Sequence, residues 1–326
     1  MLIAFLNHTL EIYLRKDVMI YTVTLNPALD RTISIKNINP DDCNRIENEQ
    51  LYAGGKGIDV SKVLTKFGVK NKALGFVGGF AGEELEGLLI NEGIACDFVR
   101  IAGRTRTNII VNDIGANTQT LFNAKGPTIT AYELMQIIHK IENLADPTYV
   151  IISGSLPLGV NPEIYRKIIE IVKSKGAKVI LDTDGEALLV GMQELPNIIK
   201  PNIHELSRLA GRPLERMDLV VEAACTLRDR GIEIVLVSMG SRGILMVSDC
   251  GRYLVQPPEV EAKNKIGAGD SAVAGFAYGL ITGKDLVLSL TYAVAAGTAT
   301  ILQAGTALCN LEDFHNLQTK LIPQKV

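Results

Sequence analysis

"YVIISGSLP", Tyr149 to Pro157, carries the reading of the fold. Its first four residues are an unbroken apolar run, not an alternation, and it closes on serine, glycine and proline. Such a run, bounded by turn residues, fits a strand covered on both faces. The pattern returns in "KVILDTDGE", Lys178 to Glu186, and in "EIVLVSMGSRG", Glu233 to Gly243, with a shorter strand expected at 197–200 ahead of "KPNIHE". Helical spacing appears between them, near 131–144, 161–175, 202–210 and 216–230. Strands alternating with helices imply an α/β fold: a doubly wound, mostly parallel sheet with helices on both faces. Ligands collect at the carboxyl ends of the strands in such a sheet. "SGSLP", "DTDGE", "KPNIHE" and "SMGSRG" all fall on that edge, so the site is expected there.

Toward the N-terminus the rhythm is less regular. A strand at 20–25 stops at Asn26-Pro27, and residues 31–52 alternate as β structure. Helical spacing at 57–67 and 82–92 flanks the strand "KALGFVG", and 97–122 returns to β pattern. Two helix-free β patches, about 31–52 and 97–122, can pair as a small sheet outside the main layer, a lid. Toward the C-terminus a hairpin is expected at 243–256, then helices at 268–282 and 285–303. This describes one domain over 19–326. The leader "MLIAFLNHTLEIYLRKDV", 1–18, has a short apolar stretch, no preceding basic residue and no small-residue cleavage site, so it makes a poor signal peptide. It reads as a poorly ordered upstream extension whose removal leaves activity and stability unchanged.

Composition narrows the function. The 326 residues are 47% hydrophobic and 21% charged, with a formal net charge of −3. That balance offers no basic field for nucleic acid. No apolar run approaches the roughly eighteen residues of a membrane helix. Five cysteines, scattered and never spaced as C-x-x-C, fit a reduced, cytoplasmic protein without a zinc site.

Four motifs carry chemistry, each with a plainer alternative. In "GAGD" Asp270 is either a helix cap or a base working on an anion. In the second case the amides of Gly267, Ala268, Gly269 and Asp270, with the helix dipole, hold a phosphoryl oxygen. A carboxylate at a helix N-terminus is expected to have a low pKa. "NIHE" can cap its helix, or Asn202 and Glu205 can hold waters on Mg²⁺, which keeps much of its hydration shell. "AGGKGIDVSKVL" is a hinge, or a backbone cradle for a sugar from which Lys56 reaches a phosphate. It lacks Walker A spacing, and the chain has no convincing G-x-G-x-x-G after a strand, which counts against a nicotinamide enzyme. "GRTRTN" puts Arg104 and Arg106 on a lid strand, as a solvated face or as phosphate-binding forks.

Their joint order is more specific than any one of them. Asp30 in "TLNPALD", then "GGKG", "TRTN", "SGSLP", "KPN..E", "SMGSRG" and "GAGD" resemble the ribokinase-like PfkB carbohydrate kinases from Met19 onward. The likeness is closest to the branch acting on sugar phosphates: fructose-1-phosphate, tagatose-6-phosphate and minor 6-phosphofructokinases. It implies ATP as phosphoryl donor, Mg²⁺, and Asp270 as base above an anion hole of Gly267, Ala268 and Gly269. It further implies Asp30, Gly54, Gly55, Lys56, Asp59, Arg106 and Asn108 at the sugar phosphate. Lys200, Asn202, Ser238, Gly240, Gly243, Gly297 and Thr298 match the nucleotide region, with Asn202 and Glu205 on the metal through water. Some relatives pair their lids, which implies a homodimer.

Two departures bear on the substrate. Asp59 stands where these kinases usually carry Asn, and "TQTLFNAKGP" has Leu121 where many fructose-1-phosphate kinases have an acidic residue, with Lys125 also unusual. The resemblance implies conversion of fructose 1-phosphate to fructose 1,6-bisphosphate, with tagatose 6-phosphate or fructose 6-phosphate as alternative substrates. A kinase for an unphosphorylated sugar and a non-catalytic nucleotide-binding protein are the remaining readings.

Overall fold

The computed structural model describes residues 18–263, 266–303 and 305–326. The leader, apart from Val18, lies outside the described residues, as do Asn264 and Lys265 before "GAGD". Among the described residues the central sheet has eleven strands. Its middle is parallel: Met19–Thr24 pairs with Asn71–Val77 on one side and Pro147–Ser153 on the other, followed by Lys178–Asp182, Ile198–Ile199 and Ile234–Ser238. Antiparallel strands Ile244–Ser248, Gly251–Val255 and Gln324–Lys325 close that edge. The chain runs outward from Met19–Thr24 to Asn71–Val77, then crosses to Pro147–Ser153 on the opposite flank. That reversal opens a crevice at the carboxyl ends of the two strands.

The apolar runs have a direct cause. Along each central strand successive side chains enter opposite layers. Tyr21, Val23, Val150, Ile152, Val179, Leu181, Val235 and Val237 join the core beneath helices Ala131–Glu142, Glu163–Ser174 and Met217–Asp229. Ile20, Ile151, Ile180, Leu236 and Met246 join the core beneath Lys56–Lys66, Ala268–Ile281 and Leu286–Ile301. Both layers are buried, so both sets are largely apolar, and a polar exception such as Thr22 is hydrogen-bonded, here to Ser61 at 2.7 Å. Each fully buried aliphatic side chain contributes about 1.5–3 kcal/mol.

The lid is a separate four-stranded sheet among the described residues, ordered Asn48–Gly54, Ala28–Ile35, Arg106–Asp113, Thr118–Phe122. The patch at 97–103 does not join it, contrary to the expectation from alternation. Ala95–Cys96 and Val99–Arg100 instead pair with Asn71–Val77. Phe98, Val99 and Ile101 are buried there, and that apolar contact outweighs the local pattern. Helix Gly185–Gly191, helix Leu311–Gln318 and the final strand were not anticipated. The two helices are short, seven and eight residues. Among the described residues no helix is long and apolar enough to cross a membrane.

Candidate active site

Helix Ala268–Ile281 begins at Gly267, whose φ of 76° is left-handed. A Cβ there would overlap Leu308 and strain the backbone, so glycine fits the turn. Among the described residues no side chain caps the helix start. Its first amides therefore stay open to an anion, as helix N-termini do. Asp270 lies in that first turn, buried, and accepts no hydrogen bond as a cap. Among the described residues the capping alternative therefore finds no support.

The acidity expected of Asp270 is corrected. Burial first, and the negative charge of Asp182 second, push its carboxyl up to about 7, against the pull of Lys56 and Lys200. Desolvation of the charged form outweighs the helix dipole here. A carboxyl poised near neutrality is a competent general base.

Asp182, at the end of its strand, joins two lysines. Its Oδ1 is 3.3 Å from Lys56 Nζ and its Oδ2 is 3.2 Å from Lys200 Nζ. The lysines hold its carboxyl below the usual range although burial pushes the other way. Lys200 Nζ also lies 3.4 Å from where a Cβ on Gly269 would stand, so its charge borders the anion hole. Sequence reading noted "DTDGE" at a strand end and did not single out Asp182. The available signal was an aspartate continuing a wholly apolar strand, which must meet a cation once buried.

The sugar-side residues assemble at the lid hinge. Asp30 Oδ1 accepts from Asn108 Nδ2 at 2.7 Å, and Asn108 Oδ1 accepts from the Ala124 amide at 3.1 Å. A Cβ on Gly54 would strike the Asp30 carboxylate, so this glycine admits the close approach. Gly55 is the N-cap of helix Lys56–Lys66, and Asp59 lies in the first turn. Arg106 donates through Nη1 to Ala124 O and through Nη2 to Asn26 O, both at 2.9 Å, while its buried Nε has no partner among the described residues. Asn26 Nδ2 donates in turn to Ser155 Oγ at 3.2 Å, bringing "SGSLP" to the same corner. Lys56 pairs with Asp182 and feels the charge of Asp270, while two carbonyls hold Arg106 at the lid.

On the other side, Asn202 and Glu205 do form a capping box. Asn202 Oδ1 accepts from the amides of His204 and Glu205, and Glu205 Oε2 accepts from the Asn202 amide. Asn202 bridges to Ser238, whose strand leads into the turn Gly240–Arg242, with Gly240 (φ 61°) and Gly243 (φ 90°) left-handed. Gly297 lies close to Ala268 O, and Thr298 turns its hydroxyl back to Val294 O at 2.7 Å. Among the described residues no cluster of three or more His, Cys, Asp or Glu could hold a metal ion. Glu205 keeps one oxygen outside its cap. These donors fit a hydrated ion arriving with a nucleotide, not a protein cage.

An open helix start, a base near neutrality and two lysines suit the movement of a phosphoryl group between oxygens, and fold and site together define a small-molecule kinase. Residues 23–313 match the pfkB family carbohydrate kinases, and the chain belongs to that family of ATP-dependent enzymes. It is 36% identical over 282 residues to the 1-phosphofructokinase of Bacillus subtilis, covering 86% of this chain and 92% of the relative. The crystal structure of Escherichia coli phosphofructokinase-2 with fructose-6-phosphate aligns with TM-score 0.87 at 31% identity, over 93% of this chain and 99% of that one. Arabidopsis thaliana ribokinase, at 21% identity and TM-score 0.74 over 92% of this chain and 98% of that one, shares the fold.

Proposed function

We propose that this protein transfers the γ-phosphoryl group of ATP to a free hydroxyl of a ketohexose phosphate, with fructose 1-phosphate as substrate and fructose 1,6-bisphosphate as product. Asp270 carries the reading: a buried carboxyl pushed up to about 7 in the first turn of a helix that no described side chain caps. The likeness to 1-phosphofructokinase supports the substrate. The attacking hydroxyl gives its proton to Asp270 as its oxygen bonds to the γ-phosphorus and the bond to ADP breaks. Because the transition state is loose, the proton leaves late and catalysis is chiefly positioning and charge stabilisation. The amides from Gly267 to Asp270 meet the equatorial oxygens, with Lys200 and Lys56 alongside. Asn202 and Glu205 would hold Mg²⁺ through water, and the ion would neutralise charge between the β- and γ-phosphates.

Asp30, Asn108 and the Gly54–Gly55 backbone would receive the sugar hydroxyls, while Arg106, at the lid hinge, would meet the substrate's own phosphate. Lys56 belongs in this scheme to the transferred phosphoryl group, not to the sugar's phosphate. A second copy of the chain would cover the outer lid strand Thr118–Phe122, which is exposed throughout, with Leu121 and Phe122 44% and 58% exposed. The five free thiols support a cytoplasmic setting. A coupled ADP-release assay across ketose phosphates, free ketoses and nucleosides tests the reading. Highest kcat/KM with fructose 1-phosphate is expected; preference for an unphosphorylated sugar would overturn it.

A further inference from the structure

Three carboxylates converge on the sugar side of this site. Asp30 packs against Gly54, and Asp59 Oδ2 lies 3.9 Å from where a Cβ on Gly267 would stand, three residues before Asp270. Two of the three are compensated. Asp30 accepts from Asn108 and is drawn down by Arg106, and Asp270 is drawn down by Lys56 and Lys200.

Among the described residues only Lys62 draws Asp59 down. Its carboxylate accepts no hydrogen bond among the described residues. It faces Asp270 on helix Ala268–Ile281, Asp30 on the lid strand, Glu92 beyond helix Gly79–Asn91, and Lys62 and Lys66 on its own helix. Both lysines are committed elsewhere. Lys62 Nζ donates to Ala53 O at 3.3 Å and pairs with Glu92 at 3.5 Å; Lys66 Nζ donates to the carbonyls of Leu308 and Cys309, each at 3.3 Å. Three carboxylates cannot all ionise readily in so confined a space, and Asp59, whose one counter-charge Lys62 is engaged with Ala53 and Glu92, is the one that keeps its proton.

We propose that Asp59 presents a neutral carboxyl to the bound sugar, donating a hydrogen bond to a sugar oxygen, so that recognition of the sugar phosphate fails as pH rises while phosphoryl transfer does not. The proposal rests on the sugar-phosphate kinase reading above. Burial first, and the neighbouring Asp270 second, hold the Asp59 carboxyl well above its ordinary value, against the pull of Lys62. A neutral carboxyl can donate, whereas a carboxylate only accepts. Once ionised, Asp59 also repels a substrate that is itself an anion.

The test is steady-state kinetics from about pH 6 to about pH 9, with wild type and Asp59→Asn, on whichever of fructose 1-phosphate, tagatose 6-phosphate and fructose 6-phosphate the wild type turns over. A failed fructose 1-phosphate assignment therefore leaves this test standing. Above the Asp59 transition the wild-type KM for the sugar phosphate should rise about tenfold per pH unit, with the KM for ATP unmoved. The carboxamide donates at every pH, so Asp59→Asn should hold KM flat. It should also leave the acid limb of kcat in place, because a neutral group replaces a neutral group. An acid limb moved downward would show that Asp59 was ionised and overturn the proposal, as would a KM profile equal to wild type. Calorimetry of sugar-phosphate binding to wild type, in buffers of differing ionisation enthalpy, needs no variant: uptake of about one proton per site at the alkaline end is expected, and no uptake refutes it.

Discussion

Asp182→Asn separates charge from shape at the centre of the site. Asp182 is 1% exposed and Lys200 6%, whereas Lys56 is 39% exposed. The carboxamide keeps the packing but strands the Lys200 ammonium in a buried place. Breaking a buried pair from one side costs roughly 3–5 kcal/mol. Lys56 adds little, since water screens it. At about 2–4 °C per kcal/mol in a chain of this size, the thermal midpoint should fall by roughly 6–20 °C. The lysines hold the Asp182 carboxyl below its ordinary value, so its contribution is present above that value and is lost as pH falls through the lowered one. The midpoint gap between wild type and variant should therefore persist at neutral pH and close in acid. Saturating ATP should also narrow it, because the nucleotide phosphates offer the lysines a replacement anion.

A purely structural role would predict no more than that. The site geometry adds a kinetic consequence, because Asp182 is one of the two causes that raise Asp270. Without it, and with both lysines released toward Asp270, that carboxyl should return toward its ordinary range. The acid limb of kcat, expected at about 7 in wild type, should move to lower pH. The assay is coupled ADP release against pH, with scanning calorimetry with and without ATP. An unmoved acid limb, or a midpoint loss that ATP does not reduce, would refute the linkage between Asp182 and the base.

Three further substitutions probe the remaining parts. Asp270→Asn should fold and bind ATP normally, with kcat reduced on the order of 10²–10⁴-fold; turnover within a few-fold of wild type removes Asp270 from the mechanism. Arg106→Ala loses a charge-assisted phosphate contact of about 1.5–3 kcal/mol, so the KM for the sugar phosphate should rise roughly ten- to hundredfold with that for ATP spared. Because Arg106 also ties Ala124 on the lid to Asn26 on the core, some kcat should be lost with it, and a rise confined to the ATP KM would reverse the two ends of the cleft. Gly267→Ala places a Cβ against Leu308 at a left-handed φ, costing about 1–2 kcal/mol; kcat should fall at least tenfold as the amides turn away, and near-normal kcat would dismiss the anion hole.

How far the site could be read from the sequence follows from the range of each interaction. The strands at Tyr149, Lys178 and Glu233 were legible because two buried faces demand an apolar residue at every position, which is a local signal. The helix start at Gly267 was legible because a left-handed turn and open amides require small residues in a fixed order. Val99–Arg100 was misassigned to the lid because its partner, Phe76–Val77, lies more than twenty residues away, and alternation says nothing about which sheet a strand joins. The ionisation of Asp270 was misjudged for a related reason. The helix dipole is written in the local sequence, but desolvation and the Asp182 charge belong to the packed molecule. Lys56 shows the same limit. Its place at a helix start beside the sugar cradle is local, whereas the aspartate it pairs with lies 126 residues further along. Charges in this site therefore take their roles from partners on other strands, and a substitution at Asp182 should alter chemistry at Asp270 without touching any residue of "GAGD".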